Sequence, residues 1–141
     1  VKKLYDKCDY FVYPLVNTDG VVHHDTYACV VHEAMACGAI VITWDVACMP
    51  SIYGENIILM QPPPCDTYER FAHSSWNGDM YSQTGLDQII ANIKYLDSDK
   101  ERKEEIRSSA RKWALNHTYD QESPKFCSLL EENETNVTRN S

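Results

Sequence analysis

Basic side chains are scarce where they would be most telling: no Lys or Arg occurs between Lys7 and Arg70. The chain carries 13 Lys and Arg against 21 Asp and Glu, a net charge of −8. A phosphate-backbone binder needs a basic face, so this balance argues against nucleic acid and anionic membrane surfaces as main partners. Much of the acid lies in the last third, where it serves solubility. No CxxC pair is formed by the six cysteines at positions 8, 29, 37, 48, 65 and 127, and no HExxH is present, so no metal site is expected. Free thiols in a reducing compartment are expected, with Cys29 and Cys37 buried. No apolar run approaches the ~20 residues of a membrane span, and no signal peptide is visible. Internal repeats are also missing. Asn116-His-Thr, Asn133-Glu-Thr and Asn136-Val-Thr match glycosylation triplets, which arise by chance in polar segments.

What is there centres on Asp25 to Thr43, DTYACVVHEAMACGAIVIT. From Ala28 to Cys37 only His32 and Glu33 are not apolar, which predicts a helix packed on nearly every side. Asp25 and Thr26 offer N-cap chemistry at its start. Gly38 follows Cys37, where a helix end often turns left-handed. Ala39 to Thr43 is apolar without alternation, the pattern of a parallel strand buried on both faces.

Glu33 is the informative residue. A carboxylate in an apolar helix is costly unless hydrogen-bonded, and no nearby cation in the sequence can pair with it. On the residues alone two roles fit: an acid that faces a ligand, or a buried Glu bonded to backbone or water. Asp25 stands eight residues earlier, on the order of 10–12 Å away along a helix axis. The helix N-terminus between them is a ready phosphate site, with Tyr27, Ala28 and Cys29 offering backbone N–H groups. That layout suits a sugar–pyrophosphate–ribose ligand. The same Asp25 has a plain alternative role as N-cap.

The stretch resembles the acidic-x7-Glu motif of retaining, family-4-like glycosyltransferases of the two-domain GT-B architecture. EAMACGAIVI matches the second half of that motif; Asp25 replaces its usual first Glu, and Tyr27-Ala28 its aromatic-Gly pair. Leu4–Pro14, LYDKCDYFVYP, looks like the family's helix end, strand and Pro, and Met49-Pro50 and Gly54-Glu55-Asn56 look like its later turns. The resemblance implies a Rossmann-like parallel sheet with flanking helices, the second half of a GT-B C-terminal domain. It implies a nucleotide diphosphate sugar as donor and transfer to an acceptor hydroxyl with retention. Glu33 would take the ribose hydroxyls, Asp25 the donor sugar as catalytic acid, and Tyr27, Ala28 and Cys29 the pyrophosphate. No metal or other cofactor is implied. The acceptor would sit on an N-terminal domain that this chain lacks, along with the family's basic pair, so the chain is expected to be a piece that is inactive alone. A cytoplasmic setting is expected, with a membrane-peripheral one as the variant.

The remaining elements follow from periodicity. Val1–Lys7 reads as a helix end with Leu4 and Tyr5 inward. Tyr10–Tyr13 and Asn56–Met60 read as strands, and a short helix is placed near Pro50. Strand, helix, strand and strand at this spacing predict an α/β fold with a parallel sheet. Ligands of such sheets bind beyond the carboxyl ends of the strands, where the loops Pro14–Asp25 and Trp44–Ser51 and Asp45 lie. Cys65–Thr84 reads as an irregular excursion around Trp76, with a helix near Thr67–His73. Leu86, Ile89, Ile90, Ile93 and Leu96 predict an amphipathic helix over Leu86–Asp97. Ser98 or Asp99 caps a second, Lys100–Leu115, and Gln121–Glu132 forms the last. Residues 1–132 are thus one domain part, and 133–141 a disordered polar tail.

Other readings stay open on these residues. A non-catalytic nucleotide- or sugar-phosphate-binding module would bind the same ligands, and a sugar-nucleotide epimerase could share the architecture. An interaction domain with a structural Glu33 needs no ligand. His23, His24 and Asp25 as a metal cluster and Cys29 with His32 as a nucleophile pair are the less favoured chemistries.

Overall fold

The computed structural model describes residues 2–13, 28–45, 48–61, 83–125 and 127–128. Helix α1 (Lys2–Tyr5) leads into β1 (Tyr10–Val12). Helix α2 (Cys29–Ala36) and β2 (Ile40–Trp44) follow, then α3 (Met49–Tyr53), a 3-10 turn (Gly54–Asn56) and β3 (Ile58–Met60). Two long helices close the described part, α4 (Gln83–Ser98) and α5 (Lys100–Asn116), with helical residues continuing over 119–125. The expected helix at Thr67–His73, the Trp76 excursion and the 133–141 tail lie outside the described residues.

All three strands are parallel, in the order β1-β2-β3. Tyr10 pairs with Ile40 and Ile42 with Ile58. This is the α/β parallel sheet that the residue pattern predicts. Every residue of β2 is buried, as its unbroken apolar run requires of a strand covered on both faces. Its side chains divide by the period of two. Val41, with Ala39 just before the strand, packs on the α2 side with Val31, Ala34 and Met35. On the other side Ile42 and Trp44 meet Met60 and, from α4, Ile89 and Ile93, while Ile40 joins Leu96 and Ile106. The one polar residue of the strand, Thr43, is satisfied by donating its hydroxyl to the Tyr13 carbonyl at 3.0 Å.

Helix α2 stops as its sequence suggests. Gly38 has φ 87°, its N–H donates to the Met35 carbonyl at 2.9 Å, and Ala39 N–H reaches Ala34 at 3.0 Å. These two bonds form a Schellman end, which only a residue without Cβ adopts at no steric cost. The start differs from expectation. Ala28 is the N-cap and its side chain makes no capping bond, while Asp25 and Thr26 lie outside the described residues.

Helix α2 is also not packed all round. Val31, Ala34 and Met35 are buried, but Cys29, Val30 and Glu33 are exposed. The sheet lies under one side of the helix and α5 against another, where Ala110 and Ala114 allow close approach. The side carrying positions 29, 33 and 37 is left open, because it faces neither. The apolar composition of the helix therefore overstates its burial, and Cys29 is not a buried thiol.

Smaller differences have similar causes. Leu4 is 70% exposed rather than inward, while Tyr5 packs on the core and meets Phe11 edge-on at 5.5 Å. On α4, Leu86 and Ile90 are exposed although they share its helical spacing, since only Ile89, Ile93 and Leu96 face the sheet. Asp99, one of the two candidate caps, is the one used: its Oδ1 accepts the Arg102 N–H at 3.0 Å. A charged cluster ties β1 to the last two helices. Arg107 donates to Asp9 at 2.6 Å, and Tyr10 and Lys103 both donate to Asp97 Oδ1, at 2.7 and 2.8 Å.

Candidate functional site

The site is built around the first two turns of α2. In a parallel βαβ unit this end of the helix lies with the carboxyl ends of the strands, where open sheets bind ligands. A helix start leaves N–H groups without intrahelical partners, here those of Cys29 and Val30. The Ala28 carbonyl below them takes three donors: Val31 N–H at 2.9 Å, His32 N–H at 3.2 Å and the Tyr53 hydroxyl at 3.1 Å. Tyr53 is buried, so α3 pins the mouth of α2 in place.

Glu33 stands one turn beyond Cys29 on the same open side. The carboxylate is exposed, and no hydrogen bond or ion pair ties it among the described residues. It therefore has no buried charge to compensate, contrary to the expectation drawn from its apolar neighbours. Among the described residues, two clefts border on it. The smaller, about 250 Å³, is lined by Cys29, His32, Glu33, His117, Thr118 and Tyr119. The larger, about 660 Å³, runs toward the other end of the helix between Tyr5, Ala36, Cys37, Arg111 and Leu115. Glu33 is the one residue common to both. Its charge is felt locally: burial first, and the Glu33 carboxylate second, hold the Tyr5 phenol above its ordinary value of 10.0.

Arg111, His117 and Tyr119 were not legible as site residues. They lie 78 to 86 positions after Glu33 and reach it only because α5 packs along α2. Ring contacts link them to the core. Trp113 stacks on His117 at 4.1 Å and 15°, and meets Tyr53 at 5.3 Å and His32 at 5.7 Å. Asp45 stands at the strand rim as expected, with its Oδ2 accepting from Gln61 Nε2 at 3.2 Å. Gln61 in turn exchanges two hydrogen bonds of 3.0 Å with Gln88 of α4.

Of the sequence-predicted residues, Ala28, Cys29 and Glu33 share this helix start. Asp25, Tyr27, His23 and His24 lie outside the described residues. Among the described residues no three His, Cys, Asp or Glu side chains converge to hold a metal, and no helix is long and apolar enough to cross a membrane.

No curated protein and no solved structure matches the chain. The family model for glycosyl transferases group 1 matches residues 1–74, which take in β1, α2, β2, α3 and β3 and hence the helix start, Glu33 and the strand rim. That match spans just over half of the 141 residues, and the chain belongs to the group 1 glycosyl transferases.

Proposed function

We propose that this chain supplies the donor-binding part of a glycosyltransferase, and that its donor is a nucleotide diphosphate sugar. Family membership supports glycosyl transfer. The observation that carries the finer reading is Glu33: an exposed carboxylate, one turn from the N–H groups that open α2, at the junction of two clefts. A carboxylate accepts hydrogen bonds and is suited to a diol, while a helix start is suited to phosphate. Ribose and pyrophosphate are joined at about that spacing.

In this reading the pyrophosphate lies over Ala28 and Cys29, with Tyr27 contributing from the segment before them. Asp25 faces the sugar hydroxyls as the catalytic acid of the acidic-x7-Glu spacing. The bond from anomeric carbon to phosphate breaks, the acceptor oxygen takes that carbon with retained configuration, and the nucleoside diphosphate leaves. Positioning and charge stabilisation of the leaving phosphate do most of the work. No metal or cofactor is required. The acceptor and further basic groups come from a first domain of the same enzyme.

Calorimetric titration of the chain with UDP, GDP and ADP tests this reading. Saturable binding of at least one is expected. Silence toward all three at millimolar concentration overturns it. Proton NMR of the product formed by the two-domain enzyme reads the anomeric configuration, and inversion would remove the retaining assignment.

A further inference from the structure

Cys8 stands just before β1, and Cys37 is the C-cap of α2. We propose that these two thiols form a reversible disulfide, a redox-sensitive clasp that ties the turn before β1 to the end of the helix that carries Glu33. Such a clasp goes beyond glycosyl transfer, and it neither uses nor requires the donor site.

Strand register brings the pair together. Tyr10 pairs with Ile40, and the Asp9 carbonyl accepts the Ile40 N–H at 2.9 Å. Carried two residues back, this register sets Cys8 opposite Gly38, the residue after Cys37. With strands ~4.8 Å apart and successive Cα atoms ~3.8 Å apart, the two cysteine Cα atoms lie within roughly 9 Å. A disulfide takes Cα atoms about 4.4–6.8 Å apart, so the remaining approach is on the order of 2 Å. Residues 6–9 are exposed throughout, so this turn can move that far without disturbing the core. Both cysteines also line one cleft of about 360 Å³. Cys37 borders the same turn again in the larger cleft, which Tyr5 and Asp6 line as well. The Tyr5 phenol, held up first by burial and then by Glu33, is raised further by Cys37 and Cys8, so both sulfurs lie near one ring.

Exposure sets the order of events. Cys8 is exposed and Cys37 half-buried, so Cys8 meets a dissolved oxidant first. With a small disulfide such as glutathione disulfide, the Cys8 sulfur attacks one of its sulfurs, that S–S bond breaks, and one glutathione thiol leaves. The Cys37 sulfur then attacks the Cys8 sulfur and displaces the second glutathione. Two protein thiols give up two electrons and two protons, and one glutathione disulfide becomes two thiols. Cys8 Sγ, which donates to the Leu4 carbonyl at 3.2 Å when reduced, gives up that bond. Cys29 begins α2, on the order of 12 Å from Cys37 along the axis, and is out of reach of it. The new bond closes residues 8–37 into a ring that holds β1, the start of α2 and Glu33. Closing such a ring restricts the unfolded chain more than the folded one, so oxidation stabilises the fold.

The test is peptide mapping of the full chain, kept dilute, equilibrated with reduced or oxidised glutathione and then blocked with iodoacetamide. Cleavage before Asp and after Glu leaves each of the six cysteines on a different peptide. In oxidised buffer the peptide that ends in Cys8 is expected to be joined to the one that holds Cys37, and the two should separate again on reduction. The melting temperature is expected to rise by at least about 5 °C on oxidation. Cys8→Ser, at an exposed position, and Cys37→Ala should each abolish that rise, whereas Cys29→Ser should keep it. A bond from Cys8 or Cys37 to any other cysteine, a bond between two copies, or only a mixed disulfide with glutathione overturns the pairing. Absence of any bond in oxidised buffer overturns it too. A Cys8–Cys37 bond that leaves the melting temperature unchanged or lowered overturns the clasp.

Discussion

The Tyr53 hydroxyl donates to the Ala28 carbonyl at 3.1 Å, joining the short helix after β2 to the first turn of the helix before it. The bond crosses 25 residues and is buried. It fixes where the open end of α2 points, so it links packing to the proposed nucleotide binding.

Removing that hydroxyl separates the two roles. Tyr53→Phe keeps the ring against Trp113, and the Ala28 carbonyl keeps its two backbone donors. The loss of stability should therefore stay near 0.5–1.5 kcal/mol, that of one neutral hydrogen bond, in urea unfolding. Nucleotide affinity should fall as well, because the helix start is no longer held. An unchanged affinity would show that α3 has no part in positioning it.

Glu33→Ala should do the reverse. The side chain is exposed and untied among the described residues, so stability should change by no more than about 0.5 kcal/mol. Nucleotide binding should weaken by about 1.5–3 kcal/mol, the range for a hydrogen bond to a charged group. Calorimetry and denaturant melts on the same sample read both. A large loss of stability with unchanged binding would make Glu33 a structural residue.

Gly38→Ala tests the helix end. A Cβ at this position would meet nothing within 4 Å, so crowding is not the issue. The backbone is: φ is 87°, and an L side chain there costs on the order of 1–2 kcal/mol. A thermal melt should show that loss with no change in nucleotide affinity.

Acid stability should depend on Asp9. Its hydrogen bond from Arg107 first, and the charge of Lys103 next, hold its carboxyl below the ordinary value of 3.8. A carboxyl lowered on folding adds stability that is present above its unfolded value. That stability is lost as pH falls through the lower folded value. Unfolding curves taken between pH 6 and about pH 2 should thus show a fall below roughly pH 4. Asp9→Asn should flatten it. Because Asp9 is 62% exposed, the effect should also shrink in high salt.

Much of the fold was legible because it depends on local pattern. The unbroken apolar run of β2 signalled burial on both faces, and Gly38 marked the end of α2. Asp99 was one of two sensible caps for α5, and the choice fell to whichever side chain reached the Arg102 N–H. Burial of α2 was misread for a different reason. Side chains such as Cys29, Val30 and Ala36 are apolar whether or not something covers them. A sequence does not say how many sides of a short helix are occupied. The same holds for Leu4, Leu86 and Ile90.

The candidate site divides along that line. The sequence by itself determined a helix that carries Glu33 and ends at Gly38, and the parallel strands that set the other end of that helix at the carboxyl rim of the sheet. Those are relations among residues a few positions apart, governed by hydrogen-bond geometry and periodicity. Only the tertiary structure decided that Glu33 is open to solvent and that Arg111, His117 and Tyr119 line its two clefts. Those relations arise where α5 packs its small Ala110 and Ala114 against α2, bringing a segment some eighty residues away beside the acid. Packing between distant helices leaves no local trace in the sequence, because each surface is shaped by a partner that periodicity does not name.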